Sequence, residues 1–352
     1  MAISHDPIRR APNTAEARRL AELARAAGLG DSPDAALALA QDALAILGGD
    51  ERNPLFADVL RWQGSVLRDR GELAAARPLY ERSLLLATSL DYVGGRAHAL
   101  NCLGTLAQRR GDLDEATNLY TDSLVDAERA GETRLLGMLQ QNLGIVADIR
   151  GNPASALAHY RVSLRAFEES NDLPYVSWVL NNLGYLHVKE GRYAEARACY
   201  DRALSIAHDR GDLMAEGILE ENRGELQLIL GNVELASVSI YRALAIADQR
   251  HDRVRRMAAL KLRGAMQRLS GYSAGAVESL RRALALSAVS DDTLLGAELL
   301  YQYGAALFDA GDEGLASEVW ATAMEAFDRI GARQWVGRTR KRLTEGGTDQ
   351  YF

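Results

Sequence analysis

Apolar and small residues fall into rows forty positions apart along this chain. Counted from Gly71, Gly111, Gly151, Gly191, Gly231, Gly271 and Gly311, the fifth residue on is alanine in every copy, from Ala76 to Ala316. The ninth is large: Tyr80, Tyr120, Tyr160, Tyr200, Ile240, Leu280 and Trp320. The twelfth is small, first Ser83, Ser123 and Ser163, then Ala203, Ala243, Ala283 and Ala323. These offsets lie on one stripe of a 3.6-residue helix, so each glycine predicts a helix behind it with one buried face.

A second stripe precedes each of these glycines. Gly64, Gly104, Gly144, Gly184, Gly224, Gly264 and Gly304 keep the same step. Four residues before them stand Leu60, Leu100, Leu180, Leu260 and Leu300, with Gln140 and Glu220 interrupting the row; one residue before stand Leu103, Leu143 and Leu183, then Arg223 and Arg263. A glycine inside a helix costs about 1 kcal/mol against alanine, so the upstream row predicts close helix contact. The downstream row predicts left-handed caps, after which Asp112 and Asn152 are placed to cap the next helix.

The repeating unit is therefore helix, short turn, helix, and a fixed period of this size makes the chain a stack of such units. A weaker eighth unit lies upstream, where Ala24 and Asp31 replace the glycines while Ala36, Ala40, Ala43 and Leu44 hold their offsets and Ser32-Pro33 suits a helix start. A helix around Arg333–Leu343 is expected to cover the last unit. Residues 14–344 then form one solenoid domain, with loose tails at 1–13 and 345–352.

The rows resemble the tetratricopeptide repeat, whose pattern is matched in the third unit by Leu100, Leu103-Gly104, Ala116, Tyr120 and Ser123. The resemblance covers about 45–330 well and 14–44 weakly. It implies an all-α, right-handed superhelical solenoid of about eight helix–turn–helix repeats plus a C-terminal capping helix. Three departures stand out. The repeat is longer than the common form, its closing proline is missing, and Gln140 and Glu220 put local packing in question. Longer repeats of this kind resemble those of Leu-Gly-Asn-repeat adaptors, kinesin light chains and the arrays of MalT-type and antibiotic regulators. An alanine- and arginine-rich composition with few lysines points to a bacterial source.

The resemblance also implies that the first helix of each pair lines a concave groove. Its inner row two residues before the glycine carries Asn142, Asn182 and Asn222, an asparagine ladder in a position the family uses to hold ligand backbone. The row one residue earlier carries Asn101, Gln141, Asn181, Glu221, Lys261 and Tyr301, and Trp178 and Tyr185 add aromatic anchors in one unit. An asparagine amide both donates and accepts, which suits an extended peptide. The competing reading of the ladder is that the amides bond a neighbouring helix.

Composition narrows the function without naming it. No apolar run reaches the ~20 residues of a membrane span, and the first residues lack an apolar signal core, so a cytoplasmic protein is expected. The net charge of −7 argues against generic nucleic-acid binding. Cys102 and Cys199 lie in different repeats, which disfavours a disulfide. The basic stretch from Arg250 to Arg268 and the cluster Arg338, Arg340, Lys341 and Arg342 read as a solvated face and the polar end of the capping helix. No HExxH, CxxC or GxxxxGK[ST] pattern is present; Gly271-Tyr272-Ser273-Ala274-Gly275 has the GxSxG spacing but falls in a helix–turn–helix unit with no strand before it, so no nucleophile elbow is expected, and His98 with Cys102 is a lone pair. No catalytic, metal or cofactor site is expected.

Three functions remain open from the residues: a scaffold holding a protein or peptide in the groove, a ligand-sensing module of a bacterial regulatory system, and a phosphatase acting on response regulators. The last needs an N-terminal bundle for which the stretch before Ala24 is too short. A second copy of the chain docking on an end repeat is a further partner to consider.

Overall fold

The computed structural model describes residues 14–28, 33–287 and 293–345. Among these only helices and turns occur. The chain divides into two units, Met1–Asp172 and Leu173–Phe352. The first holds α1 (Thr14–Gly28), α2 (Pro33–Leu47), α3 (Pro54–Asp69), α4 (Leu73–Ser89), α5 (Val93–Arg109), α6 (Leu113–Ala130), α7 (Thr133–Ile149) and α8 (Pro153–Glu169). The second holds α9 (Leu173–Lys189), α10 (Tyr193–Asp209), α11 (Leu213–Ile229), α12 (Val233–Gln249), α13 (Arg253–Leu269), α14 (Ser273–Ser287), α15 (Thr293–Asp309), α16 (Glu313–Arg329) and α17 (Arg333–Glu345). The tails expected at 1–13 and 345–352 lie outside the described residues, Glu345 excepted, as do Asp31 and Ser32.

Each odd-numbered helix up to α15 packs against the even-numbered helix that follows it, giving helix pairs of an all-α solenoid in both units. Within unit one the first helices of successive pairs also touch, α1 with α3, α3 with α5 and α5 with α7. In unit two α9 meets α11, α11 meets α13 and α13 meets α15. The second helices make no comparable contacts among themselves. Each unit taken alone is therefore tighter along its first helices and splayed along its second, so the first-helix side is the inner side of its curvature.

The upstream glycines do what the pattern requires. A Cβ added to Gly104 would stand 2.6 Å from the ring of Tyr120, and one on Gly184 would stand 2.4 Å from Tyr200. The large residue sixteen positions on fills the glycine's missing side chain, with Leu280 against Gly264 and Trp320 against Gly304. In the weak first pair both sites are small: Ala24 and Ala40 are buried in one core cluster with Ala17, Ala21, Ala43 and Leu47. The tyrosines are buried, and buried hydroxyls find partners: Tyr120 Oη donates to Gln108 Oε1 at 2.9 Å and Tyr80 Oη to Ser65 Oγ at 3.2 Å.

The downstream glycines adopt positive φ, +84° at Gly71 and +82° at Gly111. Each closes its helix with the paired backbone bonds of a Schellman cap, as in Asp112 N to Ala107 O and Gly111 N to Gln108 O, both 3.0 Å. Asp112 and Asn152 then cap α6 and α8 by accepting from Glu115 N at 3.0 Å and Ser155 N at 3.1 Å.

A third row with the same step was hidden by its chemistry. Asp91, Gly131, Asn171, Gly211, His251 and Gly331 all have positive φ, between +51° and +72°. They end the second helices. Because the row mixes glycine with Asp, Asn and His, identity alone does not show it.

The two interruptions of the leucine row are resolved by polar pairs. His159 Nδ1 lies 2.7 Å from Gln140 Oε1. Buried Glu220 accepts from Arg223 Nη2 at 3.0 Å, and Arg223 Nε donates to Ser239 Oγ at 3.0 Å. Arg263 repeats that bond to Ser279 at 3.0 Å. Arginine in place of leucine on α11 and α13 is thus matched by serine on α12 and α14.

Candidate ligand-binding face

On the inner helices of unit one, Asn101 is buried, and Gln141 and Asn142 are half-buried. Asn142 Nδ2 donates to Asn101 Oδ1 at 2.9 Å, joining α7 to α5. Unit two repeats the arrangement: Asn222 Nδ2 on α11 donates to Asn181 Oδ1 on α9 at 2.7 Å. Both bonds run in the same direction along the chain. The row thus ties first helices side by side, as the competing reading of the ladder holds. It does not exhaust the amides. Each has two N–H groups and an oxygen with two lone pairs, and one bond leaves most of that capacity. Asn182 shares the row on α9 and is half-buried.

Near these amides on α9, Trp178 is half-buried and Tyr185 is 50% exposed. Lys189 Nζ lies 5.6 Å from the Tyr185 ring centre, a cation over an aromatic face.

Unit two also carries a group of charges that sequence reading found only in part. Lys261 on α13 pairs through Nζ with Glu298 Oε2 on α15. Glu221 and Glu225 on α11 also act electrostatically on that ammonium. Arg255 Nη1 donates to Glu221 Oε2 at 3.1 Å, while Glu221 Oε1 is buried with no hydrogen-bond donor. Burial pushes the Glu221 carboxyl up to about 7, against the pull of Arg255 and Lys261. Glu225 is raised too, by burial first and by Glu298, with Lys261 opposing. Burial works to lower Lys261, but Glu298, Glu225 and Glu221 outweigh it and hold the ammonium above its ordinary value. Further along α13, Arg268 donates to Asp309 Oδ2 at 2.6 Å and to Gln302 Oε1 at 3.2 Å.

The sequence puts Glu221 and Lys261 three residues before their glycines, Glu225 one after its own and Glu298 six before, all on inner rows, and Arg255 completes the group. Opposite charge at one row position in successive repeats marks Glu221 and Lys261. Arg255 lies nine residues ahead of its glycine, off the rows that the pattern marks.

The basic stretch is spent on internal partners except at Arg250, whose Nε is buried without an acceptor among the described residues. Besides the pairs above, Arg256 meets Asp248 at 3.0 Å and Arg253 donates to Leu286 O at 2.9 Å. Tyr301, an expected groove residue, is only 6% exposed. Arg342 Nε donates to its hydroxyl at 3.2 Å, and Trp335 meets its ring edge-on at 5.3 Å. The capping helix α17 therefore lies over it. This corrects the reading of Arg342 as part of a polar helix end: it is buried between Tyr301 and Trp320, 5.9 and 6.0 Å from their ring centres. His98 lies on the inner row of α5, where burial first, then Arg61 and Arg134, hold its imidazole down at about 3. Among the described residues no group of three or more His, Cys, Asp or Glu could hold a metal ion, and no helix is long and apolar enough to cross a membrane. Cys102 and Cys199 are free.

Family models described as tetratricopeptide repeat match residues 55–124 and 95–169, and a further one matches 177–210. Over these residues the chain carries tetratricopeptide repeats. Solved structures with the same repeat stacking include aspartyl phosphate phosphatase F of Bacillus subtilis, at 12% identity over 89% of this chain and 78% of that one, with a TM-score of 0.65. A Rap protein complexed with competence and sporulation factor aligns at 13% identity over 94% and 97%, TM-score 0.65. The STAND signal-transduction ATPase of Pyrococcus horikoshii, which has a tetratricopeptide repeat sensor, aligns at 14% identity over 96% of this chain and 56% of that one, TM-score 0.61. At these identities the tetratricopeptide fold is what is shared. No curated protein sequence matches the chain.

Proposed function

We propose that this protein is a non-enzymatic interaction scaffold whose first-helix face holds an extended peptide or partner segment. In unit two Asn181, Asn182 and Asn222 contact the ligand's backbone, with Trp178 and Tyr185 as side-chain anchors; Asn101 and Asn142 offer the same kind of contact within unit one. The observation that carries this reading is the pair of like-directed amide bonds, 2.9 Å and 2.7 Å long. They fix amide planes on the inner helices while leaving donors and acceptors unspent. Pre-set amides lower the ordering cost of gripping a chain. The Rap protein solved in complex with competence and sporulation factor gives this fold a ligand-bound precedent. Each peptide contact contributes about 0.5–1.5 kcal/mol net.

The test compares pull-downs from native lysate by wild type and by the Asn142→Ala/Asn182→Ala/Asn222→Ala variant, with helicity and melting measured on both. Loss of a specific partner at unchanged helicity supports the scaffold. Equal recovery of partners would leave the amides as inter-helix ties alone.

A further inference from the structure

We propose that Glu221 and Glu225 of α11, with Glu298 of α15, form an acceptor for one cationic group of the ligand, an ammonium or a guanidinium. This rests on the first-helix face being the ligand side, and adds the chemistry that selects the ligand there. When ionised, the three carboxyls outnumber the two cations they meet, Arg255 and Lys261, by one charge, and for Glu221 that state is reached as pH rises through about 7. The Lys261 ammonium is taken by Glu298. Arg255 satisfies one oxygen of Glu221, whose side chain is 8% exposed, and the other oxygen has no donor. Glu225 takes no hydrogen bond from the described residues. A buried carboxylate oxygen without a donor is costly, and no donor among the described residues comes to it.

Asp252, the next acid toward Glu221, is occupied as the cap of α13, accepting from Arg255 N at 3.0 Å. The group remains open to solvent: the Lys261 and Glu298 side chains keep 19% and 20% of their exposure. An anion is excluded by the charge excess. A divalent ion is disfavoured because the Lys261 ammonium stands among the carboxylates that would have to ligate it. A cationic side chain or amine instead brings N–H donors to Glu221 Oε1 and Glu225 and neutralises the excess.

The probes are agmatine, spermidine, and a capped extended heptapeptide of serine and valine with a central arginine, paired with its citrulline twin. Each is titrated by calorimetry and by carboxylate-detected NMR. Saturable binding of the cations, at least tenfold weaker in Glu221→Gln and in Glu225→Gln but unchanged in the exposed control Glu278→Gln, supports the acceptor. Binding of arginine and citrulline peptides with one affinity sinks it while leaving the peptide scaffold standing. Saturation by agmatine with no gain from the peptide keeps the acceptor and removes the extended-peptide reading. Absence of saturable binding by every cation up to millimolar concentration overturns the proposal outright.

Discussion

Ser177 Oγ donates to the carbonyl of Ala203 at 3.2 Å, the reverse of the bond by which Ser163 Oγ donates to Gly137 at 2.8 Å. These are the same two positions of the repeat. In Ser83 to Ala57 and Ser123 to Ala97, both 2.7 Å, the second helix also supplies the hydroxyl. In the α9–α10 pair the serine is on the first helix and alanine is on the second, while the later pairs set Gly217, Met257 and Ala297 against alanine and carry no hydroxyl at either position. In the four pairs from α3–α4 to α9–α10 one hydroxyl bridges the helices, and either side can provide it.

Ser123→Ala should therefore cost about 1 kcal/mol, the worth of one buried hydrogen bond. Adding Ala97→Ser should return most of that loss by copying the Ser177 arrangement. Urea denaturation of the single and double variants checks this. A double variant no better than the single would show that the exchange is not reciprocal.

Gly184→Ala should destabilise by about 1–3 kcal/mol although alanine is the better helix former, because the new methyl enters the Tyr200 ring and overpacks the pair. Gly337→Ala is the counterpart: it sits in α17 with nothing within 4 Å of its would-be Cβ. There the ordinary gain of about 0.5–1 kcal/mol is expected. Melting temperatures moving in opposite directions would confirm the contrast.

At the left-handed ends of the second helices, His251→Gly should stabilise by roughly 1 kcal/mol, since a side chain at φ +53° pays a steric cost that glycine avoids. Asn171→Gly should gain less, because asparagine tolerates this region better. Chemical denaturation midpoints of the two variants give the order.

Glu221 links stability to pH. Its folded pKa of about 7 exceeds the ordinary carboxylate value, so the folded state holds an extra proton between the two. Its favourable contribution is complete below the unfolded value and is lost as pH rises through about 7. Glu221→Gln should accordingly be more stable than wild type by about 1–3 kcal/mol at about pH 8 and close to it below about pH 4. Cation binding by wild type should strengthen over the same rise, because the ionised carboxyl is the acceptor. Thermal melts and titrations across this range would show a flat profile if Glu221 were ionised throughout.

The helix pairs were legible because glycine and tyrosine rows are local consequences of one packing rule. Gly104 needs Tyr120 in every sense that a sequence can record: a missing side chain and its filler, a fixed distance apart. The end row at Asp91, Asn171 and His251 escaped because several residue types tolerate one backbone state. The serine exchange escaped because alanine and serine both read as small.

By itself the sequence determined that this chain folds as stacked helix pairs, where each glycine sits and which stripe of each helix is buried in its pair, since these follow from periodicity and backbone sterics. Tertiary structure alone decided how the inward polar groups are spent. Asn142 turns to Asn101, Lys261 to Glu298, and Arg342 folds over Tyr301, all between residues roughly one repeat apart. A hydrogen bond depends on angles and ångströms that a repeat pattern does not carry, so the oxygen of Glu221 left without a donor became visible only once the helices were side by side.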